Sequence, residues 1–504
     1  MHIVNASTMR ALDQQTIQEL GLPSMVLMER AALGIVAAIY QHLAAFLQEV
    51  HILVGTGNNG GDGLAIGRLL HQKGVSVKLW LWNSQAERSP DNQLQLDICQ
   101  RLGLDISEMN LDSIASEWTS ATVIIDSLFG VGLNRELSPE LCRAIESANQ
   151  STAKRVAVDI SSGLHSDTGQ VLGAAFQADL TVSCALPKWG HLLDPALKYV
   201  GHLEIVDIGI PSEYYGHLKE QVLSPSLLHA LKPLPRESNS HKGSYGSLGI
   251  VAGSLGMSGA ARMAAEAALE TGVGLVYLLV PASIQDQLAA SLPQVQVVPL
   301  PEYGGQLAPQ ALDILRYRLS KMDAVLIGPG LGREEPVGQL LLDLLPLLKQ
   351  PLVLDADALW FLAQDPRQFE QLTVLTPHPG ELANLLNQSK TAIQSDRVSA
   401  AKTAAQTFQA VTLLKGARSL IAEPNGYVWF NSTGNPGMAR GGMGDVLAGL
   451  VAGLLAQGQS AIQSACLATY WHGLAGDLVK QEVSEISLTV ARLQAALPQA
   501  WMKI

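Results

Sequence analysis

Carboxylates, amides and lysines fall beside glycines at several places in this chain, and such neighbours are what proton and phosphate chemistry requires. The run Gly55-Thr56-Gly57-Asn58-Asn59-Gly60-Gly61-Asp62-Gly63 follows an apolar stretch and leads into a helical pattern from about Leu64 to His71. Glycines let a backbone close on a phosphate, and the free N–H groups and dipole of the following helix favour an anion. A tight strand-to-helix turn without a ligand is the plainer alternative, but it does not need the side-chain oxygens of Asn58, Asn59 and Asp62. The first six residues match the dinucleotide fingerprint, yet the next strand ends Trp80-Leu81-Trp82-Asn83, without the acid that would hold a ribose.

Two further acids stand at the ends of apolar strands: Asp126, opening Asp126-Ser127-Leu128-Phe129-Gly130-Val131-Gly132, and Asp159, opening Asp159-Ile160-Ser161-Ser162-Gly163. Open α/β sheets place their ligand crevice at such ends. Asn59, Asp126 and Ser162 offer hard oxygens without His or Cys, which suits an alkali or alkaline-earth ion better than zinc. Lys188, in Pro187-Lys188-Trp189-Gly190, reads either as a solvated surface lysine or as a partner of Asp159 in proton transfer.

The second half carries Gly434-Asn435-Pro436-Gly437-Met438-Ala439-Arg440-Gly441-Gly442-Met443-Gly444-Asp445 before an apolar helix from Val446 to Leu455. N–H groups around Gly442 and Gly444, with the helix dipole behind them, can neutralise charge on a transferred phosphoryl group. Asp445 is placed to deprotonate an acceptor hydroxyl; as an isolated motif it would read as a simple helix N-cap. No Gly-x-x-x-x-Gly-Lys-Ser/Thr occurs, so the phosphate loop is not of the Walker kind. His378 alone reads as a core histidine, but Thr376-Pro377 and Pro379-Gly380-Glu381 flank it with turn and acid residues.

The elements that must position these residues alternate. Helices at Ser7 to Leu20 and Ser24 to Leu47, capped by Ser7 and Ser24, precede strands at His51–Val54, Val75–Leu81, Ala121–Ile125, Arg155–Ile160, Leu180–Cys184 and Leu203–Val206. The stretch from Ser224 to Tyr245, with Lys232-Pro233-Leu234-Pro235, reads as a connection between domains 1–222 and 223–504. A second series follows at Ser247–Ala252, Leu275–Val280, Ala324–Ile327, Leu352–Leu354, Leu372–Leu375 and Val411–Leu414. Strand and helix in alternation imply two parallel sheets covered on both faces, an α/β fold in each domain.

At 504 residues, with 47% hydrophobic and 15% charged residues, the chain can build two full cores. A net charge of -12 argues against nucleic acid and anionic membrane as partners, so anionic ligands must be held by local devices. Cys99, Cys142, Cys184 and Cys466 have no paired spacing, which fits a reducing, cytoplasmic setting. Glu29, Arg30, Gln41 and His42 interrupt the most apolar early stretch, favouring a packed helix over a membrane span. The long apolar N-terminal helices suit either a core or a homo-oligomer interface.

The first-half motifs resemble the NAD(P)HX epimerase family over nearly all of residues 1–222, continuing through Asp207-Ile208-Gly209-Ile210-Pro211. The resemblance implies a Rossmann-like three-layer α/β/α sandwich and potassium (K⁺) at Asn59, Asp126 and Ser162. It also implies hydrated cofactor bound by Asn58, Asn59, Gly60, Gly61 and Asp62, by Gly130, Val131, Gly132, Leu133, Asn134, Arg135 and Glu136, and by Asp159. Epimerisation needs proton transfer, for which Asp159 and Lys188 are the candidates. Ser161 stands where that family usually has proline, which would loosen the loop.

The second half resembles the ribokinase-like superfamily and, more narrowly, the ADP- or ATP-dependent NAD(P)HX dehydratases. The segments that carry this resemblance are His241–Gly246, Gly253 with Gly259-Ala260, Gly272–Val276, Gly328–Gly332, Leu354–Leu359, Thr376–Glu381 and Leu414–Ala417. It implies substrate contacts at Ala260, Gly330, His378 and Asp445, and nucleotide contacts at Lys415, Gly416, Ala417, Arg418, Ser419 and Gly444, with Mg²⁺ accompanying ADP. Together the halves imply epimerisation of R- and S-NAD(P)HX and dehydration of the S form to NAD(P)H, with ADP giving AMP and phosphate. Arg440 and Gln294 depart from the family pattern, and Arg440 would add charge near the phosphates. Two rivals remain open: a small-alcohol kinase with a regulatory first half, and a first half that only binds or scaffolds.

Overall fold

The computed structural model describes residues 1–110, 114–233 and 235–504, so Leu234 lies outside the described residues. The chain divides into two compact units, Met1–Leu218 and Lys219–Ile504.

The first unit is built on seven strands: β1 (Glu49–Val54), β2 (Ser76–Leu81), β3 (Asp105–Glu108), β4 (Val123–Ser127), β5 (Lys154–Val158), β6 (Leu180–Cys184) and β7 (His202–Val206). Their order is 3-2-1-4-5-6-7 and every neighbouring pair is parallel. The chain leaves β1 toward β2 on one side and returns to β4 on the other. A crevice therefore opens beyond the carboxyl ends of β1 and β4, next to the glycine-rich run and Asp126.

Four sequence expectations shift here. The first helix is Ala6–Gln18, capped by Asn5, whose side chain accepts from the Thr8 N–H at 2.7 Å; asparagine caps at least as well as the expected Ser7. The second is Ser24–Leu43, with Ser24 as its first residue and Pro23 before it. The helix expected from Leu64 starts six residues earlier, at Asn58, with Gly57 as the extended residue before it. The strand expected to reach Ile160 stops at Val158, because Asp159 adopts a left-handed backbone with φ 64°.

Among the described residues one segment, Ser24–Phe46, is long and apolar enough to cross a membrane by length and mean hydropathy (1.2). Leu27, Ala31, Ala32, Ile35, Val36 and Ile39 on this helix are buried in the core cluster of the first unit.

The second unit adds β8 (Glu220–Val222), β9 (Ser247–Val251), β10 (Leu275–Pro281), β11 (Gln296–Leu300), the small hairpin β12 (Glu302–Tyr303) and β13 (Gln306–Leu307), β14 (Ala324–Ile327), β15 (Leu352–Leu354), β16 (Thr373–Leu375), β17 (Val411–Leu414), β18 (Leu420–Ala422) and β19 (Val428–Phe430). Ten of these form one sheet in the order 11-10-9-14-15-16-17-18-19-8. It is parallel from β11 to β17, then antiparallel through β18 and β19. Strand β8 pairs with β19 in register Glu220↔Val428, so residues 219–222 belong to the second unit and not, as expected, to the first. Three half-buried residues give no strand period to read. Part of the expected connection is likewise folded: Pro225–Leu231 is a helix capped by Ser224, and Leu228 is fully buried in the second core.

Candidate active sites

At the switch point of the first sheet the chain encloses a cavity of about 520 Å³. The turn after β1 forms its floor. Gly55 admits no side chain, since a Cβ there would lie 1.9 Å from the Leu128 carbonyl oxygen. Asn92, fully buried, donates its amide to the Gly55 and Gly57 carbonyls at 3.0 and 2.7 Å, and Arg88 donates to Gly55 at 3.1 Å. These latches hold the first turn of the helix that starts at Asn58 against the cavity, with its orphan N–H groups available to an anion.

Of the residues expected to bind substrate, Asn58, Asn59, Asp62, Gly130, Val131, Gly132, Leu133, Asn134, Arg135 and Asp159 line this cavity together, and Lys188 joins them. Gly60, Gly61 and Glu136 are not in its wall. The two glycines serve packing: a Cβ at Gly60 would meet the Gly55 oxygen at 2.1 Å, and one at Gly61 would meet Met28 at 2.7 Å.

Asp159 and Lys188 form a direct ion pair. Lys188 is fully buried, which removes the solvated-lysine reading, and its ammonium also donates to Ser183 Oγ and the Cys184 carbonyl, each at 3.0 Å. Asp159 accepts the Cys184 N–H at 3.0 Å. His191 completes the arrangement: burial, with the Lys188 charge, lowers its pKa to about 4, so the ring is neutral. Its Nδ1 accepts the Lys188 N–H at 3.1 Å and its Nε2–H donates to the Asp159 carbonyl at 2.8 Å. A left-handed backbone at a non-glycine residue costs on the order of 1–3 kcal/mol. At Asp159 the surrounding hydrogen bonds hold that conformation, and the carboxylate stays aimed at Lys188.

The expected cation ligands fall beneath the same turn. Asp126 is fully buried; it accepts the Ser162 N–H and Oγ–H, both at 2.7 Å, and the Leu128 N–H at 3.1 Å. Burial pushes its carboxyl up to about 6 despite those bonds. Asn59 packs against Gly130, and its buried Nδ2 has no partner. Ser161 does not loosen the loop as expected; it is fully buried and its hydroxyl donates to the Tyr199 carbonyl at 3.2 Å.

Sequence reasoning missed Asp13, which the first helix brings into the cavity wall. Burial raises its carboxyl to about 6, with Lys188 pulling down and Asp159 pushing up. Asp62 lies well above the ordinary carboxylate range, from burial first and then from the charges of Asp159 and Asp13. The helical period shows Asp13 only as a polar position between the buried Leu12 and Thr16.

In the second unit the crevice lies at the carboxyl ends of β9, β14, β15, β16 and β17. Lys415, after β17, donates to Asp355, after β15, at 2.7 Å and stands 3.9 Å from Glu381. Thr376, after β16, donates to the same Asp355 oxygen at 2.7 Å. Burial works against the Lys415 charge, but Asp355 and Glu381 outweigh it and the pKa is raised. A Cβ on Gly444 would sit 3.3 Å from the Lys415 nitrogen, so the ammonium faces the glycine-rich helix start. Asp445 is in the first turn of the helix Met443–Ala456, after Gly442 at φ 92°. Its carboxyl is raised to about 7 by burial and then by Asp355, against the pull of Lys415. The structure thus brings Lys415, Gly444 and Asp445 together. It also sets Gly330 against Ala260, whose Cβ atoms would be 3.0 Å apart were Gly330 alanine.

The segment 415–419 is a turn held from behind: Arg397, itself buried, donates to the Ala417 and Arg418 carbonyls at 3.1 and 3.2 Å. Asp477 clamps the far end of the glycine run, accepting from the Gly434 N–H and the Asn435 amide, each at 2.9 Å. His378 caps the helix Pro379–Leu385, its Nδ1 accepting from Gly380 and Glu381 N–H at 3.0 and 3.1 Å, while its side chain stays 57% exposed. Arg440 donates to the Ile486 carbonyl, so here its charge ties down the loop instead of reaching for phosphates.

Fold and sites define a class: a tandem of two parallel α/β enzymes, the second ribokinase-like. Its residues 248–499 match the family profile described as NAD(P)H-hydrate dehydratase, and residues 24–190 match the YjeF-related protein N-terminus. The chain belongs to the bifunctional NAD(P)H-hydrate repair enzyme family. The enzyme of that name from Moorella thermoacetica is 40% identical over 510 residues, covering 99% of this chain and 96% of its own. That of Thermofilum pendens is 34% identical over 509 residues with the same coverage. A solved ribokinase-like superfamily protein from Enterococcus faecalis superposes with a TM-score of 0.50 at 28% identity, over 56% of this chain and 96% of its own.

Proposed function

We propose that the first unit epimerises R- and S-NAD(P)HX at the ring carbon bearing the hydroxyl, and that the second dehydrates the S form to NAD(P)H at the expense of ADP. The observation that carries this reading is the presence, in one chain of the repair family, of two separate proton-handling centres, Asp159–Lys188 and Asp445–Lys415.

In the first centre Asp159 and Lys188 exchange the proton that loss and return of the hydroxyl, or ring opening, demands. Asp13 and Asp62 add two carboxyls with raised pKa values in the same wall and stand ready to hold that proton. The N–H groups of Asn58 and Asn59 receive the cofactor's phosphates. K⁺ would be held by Asn59, Asp126 and Ser162; the fully buried Asp126 carboxyl and the buried Ser162 hydroxyl are hard oxygens that fit such an ion. Bound there, it would supply positive charge to Asp126 and to the phosphates.

In the second centre Asp445 takes the proton of the ring hydroxyl as that oxygen attacks the terminal phosphorus of ADP, and AMP departs. A pKa near neutrality suits a base at ordinary pH. N–H groups at Gly442 to Gly444 and the helix dipole offset the charge on the transferred group, while Lys415 and the turn to Ser419 hold the nucleotide. Phosphate then leaves the ring carbon far more readily than hydroxide would, and the neighbouring ring carbon gives up a proton as the double bond of NAD(P)H forms. Asp355, Glu381 and Asp445 around one ammonium leave surplus negative charge, so this donor set fits Mg²⁺ arriving with the nucleotide.

Four unpaired cysteines support a cytoplasmic setting. Exposed Val26 and Leu33, seven residues apart on one helix face, support a homo-oligomer.

The test follows the reduced-nicotinamide absorbance while the full chain acts on mixed-epimer NADHX with K⁺, Mg²⁺ and ADP, within a time short against spontaneous epimerisation. Complete recovery of NADH, reduced to the S fraction by Asp159→Ala and abolished by Asp445→Ala, is expected. No recovery with ADP or ATP would sink the dehydratase reading and favour a small-alcohol kinase.

A further inference from the structure

The helix Ser24–Leu43 lines the cavity of the first unit with its start, and its other end meets the edge strand β7. Residues two apart on a strand share a face, so His202, Glu204 and Val206 point to one side of the sheet. Val206 meets the helix at Gly34, where an added Cβ would lie 2.9 Å from the valine Cβ, so helix and strand backbones run close together there. From Gly34 to His42 the helix advances about 12 Å, and from Val206 back to His202 the strand covers about 13 Å. The matched lengths deliver the His42 ring to the two polar residues at the other end of the seam.

There His42 Nε2 lies 2.5 Å from Glu204 Oε2, and the His42 and His202 rings face each other at 4.7 Å between centroids. One ligand atom from each of His42, His202 and Glu204 falls within 4.8 Å of the others. Donors held tetrahedrally about 2.0–2.2 Å from a common ion are roughly 3.3–3.5 Å apart. Small rotations of these partly exposed side chains close the difference, and His42 in the last turn of its helix sits where the dipole favours a cation.

We propose that His42, His202 and Glu204 form a binding site for a divalent transition metal of the zinc type, joining the second helix to the edge of the first sheet. Two imidazoles and a carboxylate, with remaining positions open to water, select Zn²⁺, Co²⁺ or Ni²⁺ over the K⁺ and Mg²⁺ of the proposed reactions. The bound ion fixes the end of a helix whose start, at Ser24, Leu27 and Met28, walls the cavity.

The experiment is a calorimetric titration of the chelator-stripped full chain with Zn²⁺ in K⁺ and Mg²⁺ buffer, repeated with Co²⁺ to read its visible absorption. One ion per chain is expected. His202→Ala and His42→Ala should each weaken it at least about tenfold, since loss of even an outer partner of a metal ligand costs 10–100-fold. Glu204→Gln, nearly isosteric, should do the same while the metal-free melting curve is unchanged. Absence of one-to-one binding, or equal binding by the His42→Ala/His202→Ala double variant, would overturn the site and place any metal on other histidines.

Discussion

In the first unit the site lysine is bonded to the carboxylate proposed to do the chemistry; in the second it is bonded to that carboxylate's neighbour. Lys188 is fully buried and paired with Asp159. Lys415 donates to Asp355, and Asp445 is left with a pKa near 7, pushed up first by burial and then by Asp355. The same residue types therefore yield a fixed ion pair in one half and a base poised near neutrality in the other. What decides between them is which carboxylate the ammonium can reach.

The largest expected effects separate the two halves outright. Asp445→Asn should lower nucleotide-dependent dehydration by about 10²–10⁴-fold, while epimer interconversion without nucleotide, followed by chromatography, stays at the wild-type rate. Asp159→Asn should do the reverse; a joint loss in either variant would break the picture of two independent centres. Next comes stability of the first unit. Lys188→Met strands Asp159 in a buried site and should cost about 3–5 kcal/mol in denaturant unfolding, much of it regained in the Asp159→Asn/Lys188→Met double variant. An additive double variant would mean that the pair is not coupled.

The pH dependence sharpens the contrast further. Asp445 must be deprotonated to act, so dehydratase kcat/KM of the wild-type enzyme should rise as pH increases through about 7. Asp355 raises the Asp445 pKa and Lys415 lowers it. Asp355→Asn should therefore move the inflection down, and Lys415→Met should move it up; an inflection that moves in neither variant would remove Asp445 as its source. The smallest effect is expected at Asn92→Ala, which frees the Gly55 and Gly57 carbonyls. A loss of about 1–3 kcal/mol in stability and a raised KM for the epimer, with dehydration unchanged, would show that the turn is held and not only shaped.

Much of this molecule is readable from order along the chain. Strand, turn and helix alternate along the chain, so β1, β4, β6, β9, β14, β15 and β17 were legible, as were the glycine-bearing runs 55–63, 126–132 and 434–445. Those signals are local: apolar runs bury on both faces of a parallel sheet, and glycines stand where backbone must approach backbone.

Tertiary structure decided the rest, because it depends on which distant residues share a crevice. Asp13, Asn92 and Asp477 are unremarkable positions on helices until folding sets them against Lys188, Gly55 and Gly434. Strand β8 joined the second sheet because its edge could pair with β19, which no hydrophobic period announces. Lys188 could have been a surface residue by type and spacing; only burial beside Asp159 gave it a partner. Sequence determined which chemical groups stand at the strand ends, since that follows from local pattern. The proton state of each group was left to the fold, because charge in a buried site answers to neighbours that the chain brings in from far away.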